Sequence, residues 1–168
     1  QLPEQVLADG GNFELSTMYH AIFLEDLLDL INASESWPGR IANELTGEWR
    51  AAASRMLAWL RTMRHPDGEI AFFNDAALGV APTPAEIEDY ASRLKVAAAP
   101  REAPGGLCLR VVHLEASGYV RVDADRATAI LDVARVGPDY LPGHAHADTL
   151  SFELSVAGQR LFVNGGTS

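Results

Sequence analysis

The chain has 168 residues, 48% of them hydrophobic and 21% charged, a composition that supports a folded core in one domain or parts of two. No apolar run reaches the roughly 18 residues a membrane span needs. A formal net charge of −10 with no basic stripe argues against nucleic acid, and argues mildly against a polyanionic partner unless a local cationic pocket overrides the global field.

The first third reads as helix. Leu15, Met18, Tyr19, Ile22, Asp26 and Leu30 recur at helical spacing, and Phe23, Leu27 and Ile31 widen the stripe. Ser16 stands where an N-cap belongs. Trp37-Pro38-Gly39 breaks the pattern, and a second helix follows with Leu45, Trp49, Ala52, Met56, Trp59 and Met63 on one face. These periodicities predict helices over 15–31 and 45–63. His65-Pro66-Asp67-Gly68 ends the second, since proline cannot continue the ladder and Asp-Gly favours a turn. Residues 66–84 read as irregular, and a short helix is expected from Thr83 or Pro84 to Leu94. The stretch from Ala97 to Gly106 is the best linker candidate.

Beyond residue 106 the period changes from helical to alternating. Residues 107–114, 119–123 and 127–134 read as strands separated by Ala116-Ser117-Gly118 and an Asp-Ala-Asp-Arg turn. Leu150, Phe152, Leu154 and Val156 then alternate with Ser151, Glu153 and Ser155, and Ala157-Gly158 turns the chain into a last run, 160–164. Helices first and strands second predict two segregated layers or domains. Cys108, the only cysteine, lies in an apolar strand pattern and reads as a buried structural thiol, with a nucleophile as the alternative; it excludes an intrachain disulfide. Gln1 is no initiator Met, and the chain stops just after a strand-like run. It therefore reads as a fragment, in which the lack of a targeting signal says nothing of location.

Three stretches can carry chemistry. In Gly143-His144-Ala145-His146-Ala147-Asp148, two histidines at i and i+2 near a strand's start point to one side, so they can share a metal or divide metal binding and proton transfer. The same spacing suits a loop of hydrogen-bonded histidines with Asp148 capping backbone amides. Asp9-Gly10-Gly11-Asn12-Phe13-Glu14-Leu15-Ser16-Thr17-Met18-Tyr19-His20 puts Tyr19 and His20 in the first turn of a helix, where unpaired N–H groups and the dipole favour anions and a tyrosine can act as a base. An aromatic at the start of a stripe is also an ordinary core residue, and His20 by itself reads as structural. In Leu161-Phe162-Val163-Asn164-Gly165-Gly166-Thr167 a strand ends on Asn164, which can meet a metal or hold a turn.

Taken together and in this order, these stretches resemble the heparinase II/III-like family of polysaccharide lyases. The 9–20 segment is similar to the family's toroid motif, residues 143–154 to its sheet-domain signature, and the segment from Asp67-Gly68-Glu69-Ile70 to Asn74-Asp75 is also similar. The resemblance implies an α+β multidomain architecture: the last helices of an (α/α) toroid with its connecting segment over 1–96, then the first strands of an antiparallel β-sheet or sandwich domain over 107–168. It implies cleavage of a uronate-containing acidic polysaccharide by β-elimination, with Tyr19 and His144 in proton transfer and Glu14 and His20 as substrate-binding residues. His146 would enter a metal site, often zinc and mainly structural.

The family's metal-binding carboxylate falls on Asn164, a neutral amide and a poorer ligand for a dication, so any zinc site would be weak. Further site residues would precede residue 1 and follow residue 168, so the fragment alone would be inactive. Two other readings stay open: a non-lyase heparinase-like protein of bacterial surface-polysaccharide synthesis, and a glycan-binding module without chemistry. A glycan substrate fits a periplasmic or cell-envelope location; the sequence leaves the oligomeric state open.

Overall fold

The computed structural model describes residues 2–101, 105–106, 109–134 and 149–165. Among the described residues four helices come first: α1 (Leu2–Gln5), α2 (Thr17–Ser36), α3 (Asn43–Thr62) and α4 (Pro84–Arg93). A six-stranded sheet follows in simple sequence order: β1 (Gly105–Gly106), β2 (Leu109–Leu114), β3 (Tyr119–Ala124), β4 (Ala127–Asp132), β5 (Phe152–Val156) and β6 (Gln159–Phe162). Every neighbouring pair is antiparallel. The change of period after residue 106 therefore marks a real change from helices to sheet.

Capping fixes where the helices begin. Ser16 Oγ accepts the Tyr19 N–H at 3.4 Å and starts α2. Thr83 and Glu86 form a reciprocal capping box at α4, with Pro84 in the first turn. At the end of α3 the His65 N–H bonds Glu69 O at 2.9 Å and Gly68 adopts φ +95°, so the chain reverses there.

The buried face of α2 is not the expected one. Thr17, Met18, His20, Ala21, Leu24, Leu27, Leu28 and Ile31 are buried, whereas Asp26 and Leu30 are exposed. The helix packs chiefly on α3 and α4 through its 17/21/24/28/31 side. Phe23, Asp26 and Leu30 instead line an open cavity of about 790 Å³ with Leu45 and Trp49. In α3 the expected Met56, Trp59 and Met63 are buried, but Leu45 is exposed.

Among the described residues two apolar clusters build the core. One lies within the helices; the other joins Trp59, Met63, Ala71 and Phe73 to Val112, Leu114, Tyr119 and Ile130 of the sheet. The start of the expected linker is strapped to α3: Ala99 N–H donates to Ser54 O (2.8 Å) and Ser54 Oγ to Ala97 O (2.7 Å). In β5 the alternation is inverted relative to the usual rule, because Glu153 and Ser155 face inward and Phe152 and Val156 outward. That strand begins at residue 152; Leu150 lies in a preceding turn with φ +70°.

Candidate active site

The loop ahead of α2 is a rigid platform. Asp9 Oδ1 accepts the Gly11 N–H (3.0 Å), and Asp9 Oδ2 accepts both the backbone N–H and the hydroxyl of Ser117, at 2.7 and 2.9 Å. Gly10 has φ +93°, and a Cβ there would lie 2.3 Å from Arg55 O, so only glycine fits. A Cβ on Gly11 would lie 2.8 Å from Trp59 Nε1, which itself donates to Ser117 Oγ at 2.9 Å. The Tyr119 hydroxyl donates to Leu15 O at 2.7 Å and receives the Asn74 amide at 2.9 Å. Two hydrogen-bonded junctions thus bind the Asp9–Leu15 loop to the start of β3 and the turn before it.

Tyr19 occupies the third position of α2, half-buried against the helical core. Glu14 is half-buried two residues before the cap, with its N–H held by Asn12 Oδ1 at 3.0 Å. His20 corrects the expectation placed on it. Its ring is fully buried and stacked on Trp59 with centroids 4.3 Å apart. Nδ1 accepts the Asn12 N–H at 3.2 Å and Nε2 faces Met56 O at 3.1 Å. Both nitrogens are committed inside the protein, so none is left for substrate. Burial pushes the imidazole pKa down to about 3, against smaller opposing effects of Met56 O and Asp9, so the ring is neutral.

Of the sheet-side candidates, His144 and His146 lie outside the described residues, as do Cys108 and Asp148. The two feet of their segment are described: Leu150 N–H bonds Asp132 O (2.8 Å) and Asp132 N–H bonds Ser151 O (3.0 Å). Asn164 is beside them. Its amide Nδ2 donates to Ser151 Oγ at 3.3 Å and its backbone N–H to Glu153 Oε1 at 2.9 Å. Among the described residues no group of three or more His, Cys, Asp or Glu side chains could hold a metal. The donor set around Asn164 does not by itself fit a zinc ion.

A buried polar network went unforeseen. Glu153 Oε2 is 2.9 Å from His65 Nε2, and His65 Nδ1 is 2.7 Å from Ser155 Oγ. Glu153 Oε1 also accepts the Phe72 N–H at 3.1 Å. Arg160 closes the outer side, 3.5 Å from Glu153 and bidentate to Asp67 at 2.7 and 3.2 Å. Burial raises the Asp67 pKa, but the Arg160 hydrogen bonds, the Glu69 N–H and nearby positive charge outweigh it and hold the carboxyl below its ordinary value. A lone Glu in an otherwise apolar and hydroxyl strand was the sequence signal for this network.

Helices followed by an antiparallel meander, joined by a clamped Gly-Gly-Asn loop, define a two-layer α+β protein with its candidate site where the layers meet. Residues 1–94 match the heparinase II/III N-terminus family and residues 109–168 the heparinase II/III-like C-terminal family. The chain belongs to the heparinase II/III-like family. Among solved structures it is similar to heparinase III, with TM-score 0.65 and 20% identity over 98% of this chain and 27% of that one. It is also similar to the heparan sulfate lyase HepC from Pedobacter heparinus, with TM-score 0.60 and 20% identity over 98% of this chain and 27% of that one. At that identity the likeness concerns the fold, and the chain spans about a quarter of the length of these relatives. No curated protein matches the chain.

Proposed function

We propose that the full-length protein is a polysaccharide lyase that opens a uronate-containing glycan by β-elimination. A base removes the C5 proton, the C–H electrons form the C4=C5 double bond, the C4–O bond breaks, and an acid protonates the departing oxygen. The uronate carboxylate must be neutralised or hydrogen-bonded meanwhile. Tyr19 and His144 are assigned the two proton transfers, with Glu14 beside them at the substrate.

One observation carries this reading. In sequence the 135–148 segment, which holds His144, lies between Asp132, the last residue of β4, and Ser151, which accepts the Asp132 N–H; Asp132 pairs with Tyr119, and Tyr119 bonds Leu15, four residues before Tyr19. The feet of the histidine segment and the platform of Tyr19 therefore share one end of the sheet. The neutral Asn164 favours a second reading, a glycan-binding module without turnover. Zinc, if bound through His146, would supply rigidity to the histidine loop, and no step of the reaction is routed through it. We place the helical part at 1–96 as the end of a toroid domain and 107–168 as the start of the sheet domain. A periplasmic or envelope setting suits the substrate.

The test is to incubate the full-length protein with a panel of uronate polymers and follow the ultraviolet absorbance of the unsaturated product. Absorbance should rise with at least one polymer. No rise with any of them overturns the lyase in favour of the binding module.

A further inference from the structure

The chain is acidic overall, yet its cations are not spread evenly. A cavity of about 470 Å³ between the end of α3, the 98–101 strap and strands β2 and β3 is lined by Arg61, Arg64, Arg101, Arg110 and Arg121. A neighbouring hollow of about 360 Å³ shares Arg61 and adds Lys95. Six of the chain's 13 Lys and Arg residues therefore border this pair of adjoining cavities, an arginine track in a molecule of net charge −10.

The local carboxylates do not balance them. Glu88 is shared by Arg61 (2.8 Å) and Arg64 (3.6 Å), and Asp123 by Arg121 (2.9 Å) and Arg110 (4.0 Å). Asp9 faces Arg101, but its carboxylate is already bound by Ser117 and Gly11. Two of the arginines also hold the fold: Arg121 donates to Thr62 O at 3.0 Å and Arg101 to Asp9 O at 2.7 Å. Beyond that bond, the buried Nε of Arg101 has no hydrogen-bond partner among the described residues. Arg61 and Arg110 stand more open, their side chains 54% and 55% exposed. Planar guanidinium forks suit carboxylates and tetrahedral oxyanions, and a local cationic cavity concentrates anions even on an acidic protein.

We infer that this arginine track binds the anionic substituents, carboxylate or sulfate, of an acidic glycan chain. It is distinct from the Tyr19 position: none of its lining residues comes from 12–20, and Arg101 reaches the platform loop at Asp9 O. The inference rests on the proposed acidic-glycan substrate but not on turnover. Paired cavities in a row suit an extended chain with repeating charge better than a single small ion.

The test is calorimetric titration of the full-length protein, in a Tyr19→Phe background that stops turnover, with heparin and with alginate oligosaccharides. The double variant Arg61→Gln/Arg110→Gln changes only exposed side chains, and an unchanged melting temperature verifies its fold. It should weaken glycan binding by on the order of tenfold or more, as expected for lost charge-assisted hydrogen bonds, and flatten the salt dependence. Weakening with heparin alone assigns the track to sulfate; weakening with alginate as well assigns it to carboxylate. Unchanged affinity in the double variant overturns the inference, as does a parent that binds neither glycan or binds single-stranded DNA of equal charge as tightly. Arginine-dependent binding, with no unsaturated product from the protein that keeps Tyr19, removes the lyase reading and leaves the track. Turnover in the protein that keeps Tyr19, with a KM unmoved by the double variant, does the reverse.

Discussion

Glu153, inside strand β5, lies 2.9 Å from His65 Nε2 at the end of helix α3, and both side chains are sealed from solvent. This contact spans 88 positions and ties the sheet to the helical layer. It also explains why β5 turns its polar side inward: Ser155 and Glu153 together satisfy both nitrogens of one imidazole.

Removing one member of a buried pair strands the other, so Glu153→Ala should cost about 3–5 kcal/mol. The loss would also leave the Phe72 and Asn164 N–H groups without their carboxylate acceptor. Glu153→Gln should do little better, because its amide NH2 must face either those two donors or His65 and Arg160. Denaturant midpoints of the three proteins check this; a midpoint for the Ala variant within error of the parent refutes it.

A second expectation concerns pH. His20 titrates near 6.5 when unfolded and at about 3 when folded, chiefly through burial. Between those values the unfolded chain binds the extra proton, so stability rises with pH there. The stabilisation is complete above about pH 6.5 and is lost progressively as pH falls toward 3, on the order of 5 kcal/mol at most. Above the ordinary carboxylate range, from about pH 6.5 to 4.5, melting temperature should fall in the parent. A His20→Gln variant should begin lower and slope less over that window. Equal slopes would remove His20 as the cause.

What the sequence disclosed follows from the range of the interactions involved. Ser16, the Thr83–Glu86 box and the Asp67-Gly68 turn act within a few residues, and the helix limits they set lie close to those expected. The face of α2 was not legible, because Ile22, Phe23, Leu24, Leu27, Leu28, Leu30 and Ile31 make that helix apolar nearly all round. Only the position of α3 and α4 decides which side is buried.

The His20 environment was hidden for a related reason. Asn12, Met56 and Trp59 reach it from three segments, and no local pattern announces that convergence. The arginine track is equally non-local, drawn from α3, the strap, β2 and β3. Net charge averages such a cavity away.

A third prediction concerns the metal. Asn164 offers a neutral amide whose nitrogen already bonds Ser151. Zinc titration of the full-length protein should therefore show weak or no binding. Asn164→Asp should tighten it by at least ~tenfold, since even changes in outer-shell partners move metal affinity that far. Tight stoichiometric zinc in the parent that survives His146→Ala would show that other residues hold the ion.

The last prediction separates two adjacent residues by what their loss does. Tyr19 and His20 follow each other in the first turns of α2, but they face different surroundings. His20 is enclosed, with both nitrogens bonded and its ring on Trp59. Tyr19 is half-buried at the helix end whose platform is clamped to the sheet. Tyr19→Phe keeps the ring and removes one hydroxyl, so the apolar contacts of the ring survive and melting temperature should change little. If that hydroxyl moves a proton in the reaction, turnover should fall by about 10²–10⁴-fold. His144→Ala should cost activity to a similar degree. His20→Ala should instead lower the melting temperature, because it opens a cavity beside Trp59 and strands the Asn12 N–H. Any drop in its activity should track the folded fraction. Steady-state kcat and KM beside melting curves for the three variants give the answer. Parent-like kcat in Tyr19→Phe would remove Tyr19 from the chemistry, and parent-like stability in His20→Ala would remove His20 from the core.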